Sequence, residues 1–395
     1  MLSSGELVWA GRKARIESDR RNPSQEIPMT MRVVLSLITP SAKANRWGSR
    51  VLLALSTLVL PAVAQPAAVK GYTVTVFAKG VQGQYSAPDS IAVLGKHVFI
   101  GYGDGNDPAG ADGKSNQIVQ YSLEGKVEQI YTVVGHNDGM KVNPYTHQLW
   151  AMQNEDANPN LVIVDAETHQ QTLYTFTQAP AHGGGYDDIT FRNGKVYFSA
   201  SNPANNPNTE QAIVEATLVG NTVQVTPALL GNASAVDVLT GSTVTLNLQD
   251  PDSMTLTPSN DILLDSQGDS EELLVHNPGP SQTVTLIPLS SPFGMPQADD
   301  TVFVTGSDGF LLMSDTPGDT VYRISKARWV TGAPYTAAVG APDANGNSVG
   351  FVGVLDLNFG DIRPVVTGFQ SPHGMAFVNL RGDDGGGAGS SCPAQ

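Results

Sequence analysis

The sequence predicts an all-β protein, a β-propeller of six blades with seven as the alternative. Three observations predict it: one short turn motif recurs along the chain, alternating strands fill the intervals, and helical pattern is nearly absent after residue 70. The composition agrees. Only 15% of the 395 residues are charged, with 41 Gly and 26 Pro, and Thr, Val, Asn and Ser recur throughout the middle, which suits many short strands joined by tight turns. The length could hold two or three average domains, but all-β rings commonly run past about 250 residues as one unit.

Ahead of this region, Lys43, Arg46 and Arg50 precede the apolar run 51–60, which ends at Pro61-Ala62-Val63-Ala64-Gln65. A basic stretch, a short apolar run and an Ala-x-Ala site predict an export signal cleaved after Ala64, and the run is short for a bilayer span. The expected product is secreted or periplasmic, monomeric and without a membrane span. The chain is expected to divide into a leader over 1–64, a propeller over 65–380 and a disordered Gly-rich tail over 381–395. The single cysteine, Cys392, falls in that tail, so no intramolecular disulfide can form and stability must come from the core. A net charge of −15 excludes a general nucleic-acid binder and makes a cation the natural small partner.

Six segments align without gaps: Pro88-Asp89-Ser90-Ile91, Asn137-Asp138-Gly139-Met140, Tyr186-Asp187-Asp188-Ile189, Pro251-Asp252-Ser253-Met254, Pro292-Phe293-Gly294-Met295 and Pro372-His373-Gly374-Met375. Between their second positions, 138 − 89 and 187 − 138 both give 49, about one blade of four strands. The next interval, 252 − 187 = 65, leaves room for an extra hairpin near 236–248. The last, 373 − 293 = 80, is where a seventh repeat could hide. The six-blade reading assigns 302–325 to the fifth blade and strands near 335–339, 350–356, 362–367 and 373–378 to the sixth. Residues 72–77 then join the C-terminal blade and cover its edge.

The Pro-His-Gly-Met and Pro-Asp-Ser-Ile/Met openings resemble blade starts of the broad propeller group that contains NHL-repeat proteins, streptogramin lyases and the SMP-30/gluconolactonase lactonases. The resemblance covers about 70–380 at the level of blade pattern. The tryptophan-containing second strand of the lyases and the Glu-Gly-Pro opening of the lactonases are both missing.

In a propeller the turn entering each innermost strand lies at the mouth of the central channel, so six distant positions become one ring. The expected ring is Asp89, Asp138, Asp187, Asp252, Phe293 and His373, with Asp188, His136 and His182 nearby in sequence. Four carboxylates at one mouth call for a cation or for raised pKa values. Calcium, which takes oxygen ligands, is the expected cofactor, on Asp89, Asp138, Asp187 and Asp252. The bland alternative is that each Asp only caps its turn. His373 and His136 are the candidate proton acceptors of a metal-assisted hydrolase or lactonase. Its ligand at the channel mouth would be a small molecule, a carbohydrate or a peptide. The rival reading is a non-catalytic propeller presenting loops, such as 201–207, to a glycan, peptide or envelope protein. Asp104, Asp107 and Asp112 lack the alternation of an EF-hand loop and read as a solvated turn, no Gly-x-Ser-x-Gly elbow occurs, and Trp150 reads as core.

Overall fold

A computed structural model describes residues 65–381; the leader with its expected export signal, and the tail beyond 381, lie outside the described residues. Apart from one turn of 3-10 helix at Gln267–Asp269, every regular element among the described residues is a strand.

The first unit is an antiparallel sheet of Pro88–Leu94, His97–Tyr102, Ser115–Ser122 and Val127–Val134. The second runs Asn137–Val142, Leu149–Gln153, Asn160–Val164 and Gln171–Phe176. Ile189–Arg192, Lys195–Ser199, Gln211–Val219 and Thr222–Leu230 make the third. The fourth consists of Pro251–Leu256, Ile262–Ser266, Glu271–His276 and Thr283–Pro288. The long third interval is filled by a hairpin, Ser234–Asp237 with Thr243–Thr245, whose first strand lies parallel to Thr283–Pro288.

The last two units are interleaved. Gln297–Phe303 starts the fifth, but the chain then crosses to the sixth and lays down Gly309–Asp315 and Thr320–Lys326 there. It returns to complete the fifth with Pro334–Val339, Gly350–Asp356 and Asp361–Phe369. Pro372–Asn379 is the first strand of the sixth unit, pairing Met375 with Met313, and Tyr72–Lys79 is its fourth, pairing Val74 with Ile324. The sequence assignment of 302–325 to the fifth blade and 335–378 to the sixth is therefore corrected: the two hairpins are exchanged. Strand order along the chain cannot reveal such an exchange, because both hairpins carry the same alternation.

Each second strand is buried on both faces, which explains its continuous apolar run. In Leu149–Gln153, Leu149 and Ala151 pack against Phe99 and Ile118 of the first unit, while Trp150 and Met152 pack against Phe191 and Phe198 of the third. A two-residue alternation thus feeds two interfaces. The same pattern repeats from unit to unit, and a further cluster joins Phe310, Leu312 and Val378 of the sixth unit to Val98, Ile100 and Tyr102 of the first.

Trp329 fastens the interleaved region. It is 2% exposed, meets Tyr72, Tyr335 and Phe377 edge-on at centroid distances of 6.1, 5.2 and 5.4 Å, and donates Nε1–H to the Gly309 carbonyl at 2.9 Å. It thereby ties the N-terminal strand, the fifth unit and the sixth unit together. Trp329→Ala is expected to cost about 3–5 kcal/mol in urea unfolding, and Trp329→Phe, which keeps most of the packing, less than half of that.

Candidate functional site

At the start of the first strand in five units the register shifts, between Pro88 and Ile91, Asn137 and Met140, Pro251 and Met254, Ala298 and Asp300, and, on the strand facing Pro372–Met375, between Met313 and Asp315. A bulge of this kind re-aims a side chain out of the sheet. In the third unit the same place is taken by Asp187 and Asp188, just ahead of Ile189–Arg192. All six starts line one central cavity, represented by Asp89, Asp138, Asp187, Ser253, Asp299 and Gly374.

The fifth position of the ring is Asp299, not Phe293. Residues Ser291–Gly294 form a tight turn before the strand, in which the Phe293 amide donates to Ser291 Oγ at 3.1 Å and Gly294 has φ of 87°. The Phe293 ring packs on Phe351 at 5.4 Å, and Met295 is exposed. The motif at 292–295 shares its Pro-x-Gly-Met residues with the opening at 372–375, but 292–294 lie in a turn ahead of their strand while 372–375 begin one. The matching segment is Ala298-Asp299-Asp300-Thr301, and the spacing 299 − 252 = 47 would have pointed to it. The ring is thus five aspartates and His373.

His373 is held between acidic partners. Its Nδ1 lies 2.8 Å from Asp299 Oδ1 and 3.7 Å from Asp89 Oδ1, while Nε2 is 3.1 Å from Ser371 Oγ. Gln267, on the loop after the second strand of unit four, donates Nε2–H to Asp299 Oδ1 at 2.8 Å. Burial alone would lower the pKa of His373, but Asp299 and Asp89 outweigh it and push the value up to about 10. Without a bound cation the ring therefore carries an imidazolium, an acid rather than a base.

The carboxyls move the same way for a different reason. Burial, opposed by His373 and reinforced by Asp299, raises Asp89 to about 6. Burial and the neighbouring Asp89 raise Asp138 to about 7, although a hydrogen bond with Asp187 pulls it back. Asp187 and Asp252 are held well above the ordinary carboxylate range, by burial first and then by Asp138 and Asp299 respectively.

Around this ring the chain adds groups that the repeat does not announce. Glu155 follows the second strand of unit two, and its Oε1 lies 3.7 Å from His136 Nε2. Burial, then Asp138, pushes Glu155 up to about 10. The His136 ring fits because Gly103 has no Cβ: one placed there would meet His136 Cε1 at 2.6 Å. Gly139 serves a similar purpose, since its amide donates to the Asp187 carbonyl of the next unit at 3.1 Å and a Cβ would strike that oxygen. Asp188 and Asp300 occupy the position after the ring and accept the Met254 and Met375 amides of the following units at 2.8 and 2.7 Å.

Other sequence candidates fall away from the centre. His182 is 1% exposed and donates from Nε2 to the Gly185 carbonyl at 2.7 Å; burial lowers its pKa. Asp107 and Asp112 cap backbone amides within their own loop, at Ala109 and Lys114. Trp150 is core, meeting Phe191 edge-on at 5.2 Å. Ser201, at the start of the 201–207 loop, donates from Oγ to the Glu155 carbonyl at 2.7 Å and so steadies the rim.

Fold and site together define a β-propeller with an acidic, histidine-bearing centre. No family model matches the sequence, and no curated protein matches it. Among solved structures, similarity is found to a streptogramin B lyase (15% identity, 72% of this chain and 73% of that one, TM-score 0.39). It is also found to the virginiamycin B lyase of Staphylococcus aureus (11%, 64% and 99%, TM-score 0.40) and to a candidate gluconolactonase (11%, 76% and 83%, TM-score 0.41). These are members of the propeller group whose blade openings this chain resembles. No chemistry follows for this chain from likenesses of this size. Among the described residues no helix is long and apolar enough to cross a membrane.

The raised carboxyls set a pH dependence. Each contributes stability while it holds its proton, fully below the ordinary value of 3.8, and the contribution is lost as pH rises through about 6 for Asp89 and about 7 for Asp138. In chelator, thermal melts should therefore show a midpoint at about pH 5 that lies about 5 °C or more above that at about pH 8. Changing Asp138 to Asn should shrink the difference.

Proposed function

We propose that the protein is an exported hydrolase or lactonase whose central site holds a divalent cation, calcium by the character of its donors. The observation that carries this reading is the convergence of Asp89, Asp299 and His373, whose ligand atoms all lie within 4.8 Å of one another inside a ring of further carboxylates. With His373 kept as the proton acceptor beside the ion, the donors are carboxylate oxygens, without cysteine. That suits calcium, which takes six to eight oxygens, better than zinc, which favours nitrogen and sulfur. Asp89 and Asp299 are the first ligands by position, and Asp138, Asp187 and Asp252 supply the remaining negative charge.

A bound divalent cation would polarise a substrate carbonyl and stabilise the charge that develops on its oxygen. His373 would take the proton from attacking water. Its readiness to do so depends on Asp89 and Asp299: once their charge is engaged elsewhere, the interactions that hold the imidazole proton weaken and the ring becomes a base. Ser371 keeps the ring oriented through Nε2. On the other side of the mouth His136, backed by Glu155, can relay a proton to the leaving oxygen. The substrate would be a small lactone or ester that enters the mouth, in keeping with a site lined by carboxylates and short loops. An export signal ending at Ala64 would put this chemistry outside the cytoplasm.

At about pH 8, saturating calcium should raise the melting midpoint of the chelator-treated protein by several degrees, and Asp89→Asn with Asp299→Asn should abolish that rise. Against a panel of lactones and esters, His373→Ala should lower kcat about 100-fold or more with KM little changed. A protein that binds no calcium, and whose hydrolysis of every panel member is indifferent to both changes, would refute the reading and leave a propeller that only presents its loops.

A further inference from the structure

The residues that follow the ring positions in each unit, Ser90, Gly139, Asp188, Ser253, Asp300 and Gly374, line the same cavity as a second layer. Its two carboxylates are 2% and 4% exposed. Each uses Oδ2 to accept an amide of the next unit, and Oδ1 of each is buried with no hydrogen-bond partner. Two buried, half-satisfied carboxylates facing a common space are costly unless a cation lies between them.

The chain supplies one. Lys141 is two residues past Gly139 on the same strand, so its side chain leaves the same face and enters the cavity, where Nζ lies 3.0 Å from Asp188 Oδ2. Among the described residues it is the only lysine or arginine lining that cavity. The repeat does not demand it, because the equivalent positions of the other five units carry Ala92, Thr190, Thr255, Val302 and Ala376. A charged side chain that appears in one unit of six, paired with Asp188 in the cavity that Asp300 also lines, is a counter-ion delivered to a site.

We propose that the second layer is a cation-binding site in its own right, formed by Asp188 and Asp300 with the hydroxyls of Ser90 and Ser253, and that the Lys141 ammonium is its permanent, tethered occupant. The ammonium fills the channel below the mouth. It keeps small cations from descending past the ring and limits ion binding to the mouth above. This does not require the mouth to bind calcium. Removing the ammonium creates a vacant site for a small inorganic cation or an alkylammonium.

The test uses the full chain with Asp89→Asn and Asp299→Asn, which removes the first two ligands of the mouth, and the same background with Lys141 intact is the control for the carboxylates left there. Adding Lys141→Ala to that background should lower the melting midpoint by several degrees in chelator at about pH 8, and about 5 mM calcium chloride or about 50 mM methylammonium chloride should restore most of the loss. The background with Lys141 intact should respond to neither. Should the Lys141→Ala chain fail to fold in chelator, refolding on addition of either cation supports the proposal and failure with both overturns it. Lys141→Met combined with Asp188→Asn and Asp300→Asn should fold and ignore both cations. Equal cation responses with and without Lys141, or a response that survives in the neutralised variant, overturn the proposal. The mouth reading is judged separately, by calcium on the unmutated chain.

Discussion

The constraint on which the rest of the structure depends is the gathering of like charge at one centre. Two unit charges 4 Å apart repel by about 4 kcal/mol at an effective dielectric of 20. A domain is stable by only about 5–15 kcal/mol in total, so five neighbouring aspartates cannot all be ionised and unaccompanied. The molecule answers in three ways. His373 lies between Asp299 and Asp89, Lys141 places an ammonium beside Asp188, and burial raises the pKa values of Asp138, Asp187 and Asp252. Backbone amides of Met254 and Met375 satisfy one oxygen each of Asp188 and Asp300.

Charge at the centre is tolerated because the second strands around it are buried on both faces and hold the sheets together. Alternation along strands such as Leu149–Gln153 sends successive side chains into successive interfaces, so each sheet is clamped from two sides. The interleaving of the last two units adds a mechanical link, since neither can peel away without breaking the other's pairing. Tyr72 extends that link to the start of the described chain, sharing a hydroxyl hydrogen bond with Tyr335 at 2.7 Å while Lys326 Nζ lies 4.6 Å from the centre of its ring.

The fold was legible in the sequence wherever one motif is followed by its own three strands. Asp89, Asp138, Asp187 and Asp252 each begin such a run, and the extra hairpin near 236–248 showed as surplus length. Legibility failed between 293 and 373 for two physical reasons. The turn at Ser291–Gly294 has the residue chemistry of a blade opening without its position, and the hairpins at 309–326 and 334–356 serve each other's neighbours. Period-2 alternation reports that a segment is a strand, but not which sheet it joins. The strand at Tyr72–Lys79 was readable as a partner of the C-terminal unit because no other segment could cover that edge.

The site was half legible by the same logic. Repetition exposes what is equivalent across units, so four aspartates and the departure at His373 stood out, while Glu155 and Lys141 did not, each being present in one unit only. These two carry much of the chemical consequence. Glu155 reaches His136 through a loop contact that Gly103 makes room for, and Lys141 differs from its five counterparts by a charge. The repeat builds a uniform acidic funnel, and the exceptions make it directional. His373 lies beside Asp299 and Asp89, His136 lies by Glu155, and Lys141 is paired with Asp188. The centre therefore presents a different chemical group on different units, an asymmetry that a ring of identical units could not provide.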